Sequence, residues 1–361
     1  MRRVLLLLGL LAATLSAAAQ PIANPPAETL PAIVLLLPGP TTPFARAAEA
    51  VRAGFFAAHA AAGAPMAIAA RETDETPVAV VAAIEAAASR DARMIVGPLS
   101  RDAVDALARS GGARLPVLAL NTPSGDAALP TSMLALGLRV EDEARGIVRA
   151  LVRGPLATGL SGVSMPFAVI TGGGGLERRA AAAFIAAARE YGRVAEAFEL
   201  SIKQDRLADL SKRLAAQPWR AILLALDAGE AAAVRPWLPP ETIVVGTSRI
   251  HLLEESNLGL AQELEGIAFV DMPWLVEPDH PAVMVYPRAA IPYSAELERL
   301  YALGIDAYRI AAERLKGSQR FELDGVTGRL RVDPGLGGRV ERLPSLAVFV
   351  DGKAERRDVL R

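Results

Sequence analysis

One pattern recurs along most of this 361-residue chain and restricts its fold more than any other feature: a short apolar run of strand length, a turn signal, then an alanine-rich amphipathic stretch of helix length. The runs fall at 33–37, 66–70, 94–96, 117–120, 133–138, 167–170, 194–200, 221–226, 243–245 and 267–270. Helical patterns such as 45–62, 76–89, 100–110, 141–153 and 176–191 lie between them. Uncharged strands that alternate with helices are buried on both faces, which is the signature of a parallel, doubly wound sheet. Ten strands exceed one comfortable sheet, so the pattern predicts an α/β chain with two Rossmann-like lobes. The rhythm breaks near the end, where 294–316 predicts a long helix. Two strands follow, at 329–332 and 346–350, joined by turns rich in glycine (Gly335, Gly337, Gly338).

The first residues read as a targeting segment. Arg2 and Arg3 precede an apolar stretch over 4–12, and Ala17 and Ala19 sit at the −3 and −1 positions of a cleavage signal before Gln20. That stretch is far short of the roughly 20 residues that span a bilayer. Residues 1–19 are therefore expected to be a cleavable signal peptide, and 20–30 a proline-rich linker. The mature chain is expected to be periplasmic and to carry no transmembrane segment. The sequence has no cysteine, which excludes disulfides, thiolate zinc sites, a cysteine nucleophile and lipidation at a cleavage-site cysteine. Lys and Arg number 39 against 40 Asp and Glu, and without a basic excess nucleic acid is not an expected partner.

Catalytic chemistry is thinly supplied, and no enzyme activity, metal or cofactor is expected. His59 lies in a helix pattern and His251 and His280 in loops, and no two have metal-ligand spacing. Ser164 lacks the glycine-flanked elbow of a hydrolase nucleophile. Acid pairs such as Glu141/Glu143 are read as ordinary solvated surface. The glycine run Gly172–Gly175, between a strand and a helix, could cradle an anion, but it lacks both the dinucleotide-binding spacing and a P-loop lysine. A permissive turn at the rim of a cleft is the plainer reading.

Ligands of open α/β sheets sit beyond the carboxyl ends of strands. The ligand-cleft candidates are therefore Thr41, Thr42, Ser100, Asn121 and Thr122 in the first lobe, and Thr171, Gly172, Asp227 and Thr247 in the second. Small hydroxyls and helix N-termini would suit a carboxylate, and Asp227 could meet an ammonium group. Thr42, Ser100 and Thr122 are equally readable as helix caps or turn formers. Asp271 and Trp274, in a stretch rich in proline and aromatics, are candidates for an exposed partner-binding patch, or else for a structural plug beside a hinge.

The segments IVLLLPGPTTPFARAAEAVRAGFFAA, MIVGPLSRDAVDALA and PVLALN resemble the first lobe of type I periplasmic binding proteins. LALGLRVEDEARGIV, FVDMPWL, GIDAYRIAAERL and GVTGRLRVDPGLGGRVERLPSLAVFVDG resemble the LppC-type penicillin-binding-protein activators. The resemblance implies two lobes joined by three crossovers, near 134–137, 266–272 and 342–345. Lobe 1 would comprise 31–134 plus 270–343, and lobe 2 would comprise 135–269 plus 344–361. It also implies contact with a bifunctional peptidoglycan synthase, and a cleft too closed or too apolar for a zwitterion. This chain departs from the activators in lacking the lipidated cysteine and the N-terminal helical-repeat domain. The alternative is a substrate-binding protein that delivers an amino acid, amide or similar solute to an ABC transporter permease.

Overall fold

The computed structural model describes residues 32–88, 92–125, 127–157, 165–253, 258–288 and 294–357. The expected signal peptide and linker, and Ser164, lie outside the described residues. Ile33, Leu35 and Leu37 of β1 (Ile33–Pro38) enter one hydrophobic cluster, and Val34 and Leu36 enter another. A strand whose alternate residues are buried on opposite sides needs helices on both faces, and the chain supplies them. From β1 it runs through α1 (Ala45–Ala61), β2 (Ile68–Thr73), α2 (Pro77–Ala88), β3 (Met94–Val96), α3 (Arg101–Arg109), β4 (Val117–Ala119) and β5 (Met133–Ala135). The five strands form a parallel sheet in the order β2-β1-β3-β4-β5.

The chain then enters a second sheet. Its elements are α4 (Val140–Arg153), β6 (Phe167–Thr171), α5 (Gly175–Glu190), β7 (Ala195–Glu199), α6 (Gln204–Ala215), β8 (Ala221–Ala225), α7 (Ala228–Val234), β9 (Ile243–Gly246), α8 (Leu258–Glu263) and β10 (Ala268–Asp271). It returns to the first sheet through α9 (Pro273–Val276), α10 (Pro281–Met284), the long α11 (Ala295–Leu315) and a small antiparallel sheet of β11 (Phe321–Asp324), β12 (Arg329–Val332) and β13 (Glu341–Leu343). It ends in β14 (Ser345–Val350) and β15 (Lys353–Arg356), which complete a seven-stranded sheet ordered β15-β14-β10-β9-β8-β6-β7. β14 pairs antiparallel with β10. Two doubly wound sheets and three passages between them make a type I periplasmic-binding-protein-like fold. β10 pairs along its whole length in the second sheet, so that sheet holds residues 270 and 271, which sequence reasoning put in lobe 1.

α11 packs on α1 at a crossing that admits no side chain. A Cβ on Gly54 would come within 1.9 Å of the Tyr301 carbonyl oxygen, and one on Gly304 within 2.1 Å of the Val51 carbonyl oxygen. Both obstacles are backbone, so relief requires the helices to part. Gly304→Val is expected to lower stability by about 3 kcal/mol, the upper end of ordinary overpacking. A urea midpoint unchanged from the native protein would show that the contact is looser than this geometry.

Candidate functional site

The carboxyl ends of β8, β9 and β10 and the first turns of α4 and α11 enclose a cavity of about 520 Å³. Six leucines (138, 176, 252, 253, 260 and 300) wall it. Leu176 and Leu253 stand partly exposed at its rim. Charged groups also line it, most of them engaged with one another.

Asp271 ends β10 and is 1% exposed. Arg299 of α11 grips it bidentately, Nη2 donating to Oδ2 at 2.7 Å and Nε to Oδ1 at 3.1 Å. The Nδ1 of His251 lies 2.7 Å from Oδ2, and the Met272 amide donates to Oδ1 at 2.8 Å. Burial pushes the Asp271 pKa up, but Arg299 and the His251 hydrogen bond overcome it and hold the carboxyl far below the usual carboxylate range. Arg299 also donates to the Ser248 carbonyl at 2.9 Å.

Ser248 opens a short 3-10 turn after β9 and passes the network on, because its amide (3.0 Å) and hydroxyl (3.1 Å) both donate to Glu143 of α4. Burial raises the Glu143 pKa against the opposing pull of Arg342, whose Nη2 approaches at 3.4 Å. Arg342, on β13, donates in turn to the Thr327 carbonyl at 3.1 Å. One buried network therefore ties together the segments where the chain passes between its sheets. Its carboxylates are already spoken for, so among the lining carboxylates Asp227, itself a helix cap, and Glu296 stand outside it. Among the described residues, no group of three His, Asp or Glu is placed to hold a metal ion.

Of the nine ligand candidates, only Asp227 lines this cavity, where it is the N-cap of α7 and forms a capping box with Glu230. Thr41 is exposed, away from the cavity lining. Thr42 donates to the Gly39 carbonyl at 2.8 Å and forms a turn; the cap position of α1 is Phe44. Ser100 caps α3, accepting from the Ala103 amide at 3.3 Å. Asn121 bridges the Leu99 carbonyl and the Thr122 amide, and Thr122 lines a separate cavity. Thr171 turns back on the Gly172 carbonyl. Thr247 is buried one residue before the serine that joins the network, and its hydroxyl has no partner.

The glycine run is explained by its neighbours. A Cβ on Gly174 would fall 1.8 Å from a Glu177 carboxylate oxygen, and one on Gly172 would fall 2.9 Å from a Glu230 oxygen. Two carboxylates therefore pack against the loop where an anion would have to sit, which leaves the permissive turn. Two expectations are corrected by burial. Glu143 is not a solvated surface acid, because it sits at the centre of the network. Asp271 and Trp274 form no exposed patch. Trp274 is 0% exposed, its Nε1 donates to Glu298 at 2.6 Å, and the Arg288 guanidinium lies 3.7 Å from its ring centre. Sequence reasoning missed Arg299, Arg342 and Ser248 as members of this site. Their only local signal is charge or hydroxyl near a strand end or helix start, a signal that many surface residues share.

Comparison with known proteins agrees with this architecture. Residues 11–352 match the family described as "LppC putative lipoprotein". The penicillin-binding protein activator LpoA of Vibrio antiquarius is 26% identical over 66% of this chain and 44% of its own length, so the chain spans less than half of that relative. The LpoA C-domain from Haemophilus influenzae, named as a regulator of PBP1A, superposes with a TM-score of 0.73 at 21% identity, covering 90% of this chain and 99% of that one. A "putative branched-chain amino acid ABC transporter" from Chromobacterium violaceum superposes with the same TM-score at 34% identity, covering 88% and 99%. With the family matched over nearly its whole length, this chain belongs to the LppC family.

Proposed function

We propose that this chain is an exported, non-catalytic regulator that activates a bifunctional peptidoglycan synthase by binding it. The observation that carries this reading is the network between the sheets. Asp271, Glu143, Arg299 and Arg342 satisfy one another, and the cavity above them is walled by leucines. A receptor for a zwitterionic solute needs an open carboxylate and open donors at this place, since unpaired polar groups carry its specificity. Curated relatives in the same family bear the activator name. Among the described residues no helix is long and apolar enough to cross a membrane, which is compatible with export through residues 1–19.

A second reading has its own support. The cavity, at about 520 Å³, falls within the roughly 300–1,000 Å³ of small-molecule sites, and the transporter-named structure is 34% identical over 88% of this chain. This reading would make the chain a receptor for an apolar solute that hands it to a permease. An affinity pull-down of tagged protein from detergent-solubilised membranes of its own cell, read by mass spectrometry, separates the two. Enrichment of a peptidoglycan synthase is the expected outcome. Enrichment of a transporter permease without a synthase would overturn the activator reading in favour of the receptor.

A further inference from the structure

Two arginines carried by the first sheet's half of the molecule reach into the second. Arg299 lies on α11, whose Leu303 and Ile305 share a core with Ile33 and Leu35 of β1. Arg342 lies on β13, close to Val340 of the same core. Their acceptors belong to the other half. Asp271 follows Val270 at the end of β10, and Glu143 precedes Ala144 on α4, both in the core built on β6. Arg299 holds Asp271 at 2.7 and 3.1 Å, and Arg342 reaches Glu143 at 3.4 Å. Ser248 joins the two clasps, its carbonyl accepting from Arg299 while its amide and hydroxyl donate to Glu143.

Each arginine is also fixed at its root. Arg342 donates to the Thr327 carbonyl at 3.1 Å, and the buried Thr327 donates its amide and hydroxyl to Asp306 at 2.8 and 2.7 Å. The Val326 amide donates to the same carboxylate at 3.1 Å. Arg299 rides on the helix that meets α1 at Gly54 and Gly304 with no room for a side chain. The carboxylates are equally confined. Asp271 is 1% exposed and Glu143 5%, so parting the halves at this place would strand buried charge.

We propose that the two clasps fix the angle between the halves, so that the molecule is one rigid body and does not open and close on a ligand. Hinge closure needs a few passage residues free to change their backbone angles, and a ligand whose contacts differ between the two states. Here the passages run into the clasps. Asp271 stands at the second passage, Arg342 at the third, and Glu143 in the first turn of α4, which the first passage enters. The chain's own ion pairs supply the bridging contacts that a ligand would otherwise bring. A buried ion pair adds little stability over apolar side chains of similar volume; what it supplies here is one defined arrangement. A fixed angle suits a surface offered to a protein partner, but it stands or falls apart from that partner's identity.

The chain has no cysteine, so Thr41→Cys/Gly173→Cys places two spin labels, one after β1 of the first sheet and one after β6 of the second. Thr41 is exposed, and a Cβ on Gly173 meets no atom within 4 Å. Pulsed double electron–electron resonance should give one narrow distance in this labelled protein. The same labels on Glu143→Gln/Arg342→Met should add a second, longer distance while circular dichroism shows the native fold. That variant leaves neither charge buried alone and keeps a side-chain acceptor for Ser248. Two distances in the protein with its clasps intact would overturn the proposal, and that outcome needs no clasp variant. A single unchanged distance in the double variant would overturn it too. If that variant does not fold, Asp271→Leu/Arg299→Met opens the other clasp and is read the same way.

Discussion

Replacing Asp271 with alanine is expected to lower stability by about 3–5 kcal/mol, the usual cost of breaking a buried ion pair by removing one partner. The native carboxylate accepts hydrogen bonds from Arg299 and the Met272 amide and lies against His251. Without it the Arg299 guanidinium still donates to the Ser248 carbonyl but loses its buried counter-charge, while its side chain stays 12% exposed. The double variant Asp271→Leu/Arg299→Met is expected to cost less than the sum of its parts, because neither charge is then left buried alone. The pH dependence has a definite sign. The folded pKa of Asp271 is depressed below the value of about 3.9 for an unfolded aspartate, so its contribution is complete above about pH 5 and fades as pH falls through 3.9 towards the folded value. The stability gap between native protein and Asp271→Asn should accordingly hold constant from neutral pH down to about 5 and narrow only under stronger acid. Urea denaturation across that range measures it. Equal midpoints for native protein and the alanine variant would mean that the Arg299 grip does not persist in solution.

The distribution of such residues explains what the sequence could disclose. β1 and β8, IVLLLP and AILLA, are buried on both faces, so hydrophobicity alone marks them. Edge strands lack that signal. β2, expected at 66–70, runs Ile68–Thr73 as IAARET, since its register is set by pairing with β1 and its outer residues face solvent. β11, β13 and β15 escaped notice for the same reason; KAER is an edge strand of polar residues held only by its ladder with β14. The ends of β8 and β9 led reasoning to Asp227 and to Thr247, next to the working Ser248. The network itself was illegible. Glu143 meets Ser248 across 105 residues and Arg342 across 199, and no local pattern tells a buried glutamate from a solvated one until its partners arrive from elsewhere in the chain. Trp274 left two readings open, because an aromatic among prolines looks the same whether it faces solvent or fills a core, and its burial takes the structural plug.

Trp274→Ala is expected to cost about 3–5 kcal/mol, the range for truncating a fully buried aromatic, and to do so without a specific loss of partner binding. The indole belongs to the core shared by α1, α11 and the first sheet, 5.3 Å from the Tyr301 ring. The Trp274 amide donates to the Val326 carbonyl at 2.9 Å, which fixes the start of α9 against the loop before β12. Removing the side chain opens a cavity, strips Glu298 of its indole donor and leaves Arg288 without the ring beneath it. Trp274→Phe separates these effects. It keeps most of the volume and the face under Arg288, so its cost should fall to about 1–3 kcal/mol, mainly the donor lost to Glu298. Urea midpoints give the stabilities, and a pull-down at a temperature where all three proteins are folded gives the partner affinity. A core role predicts that stability falls in the order native, Phe, Ala while the folded fraction of each retains the proposed synthase partner equally. If Trp274→Ala melts like the native protein yet no longer retains its partner, the ring must leave this core to make contact, and its burial here describes only the unbound state.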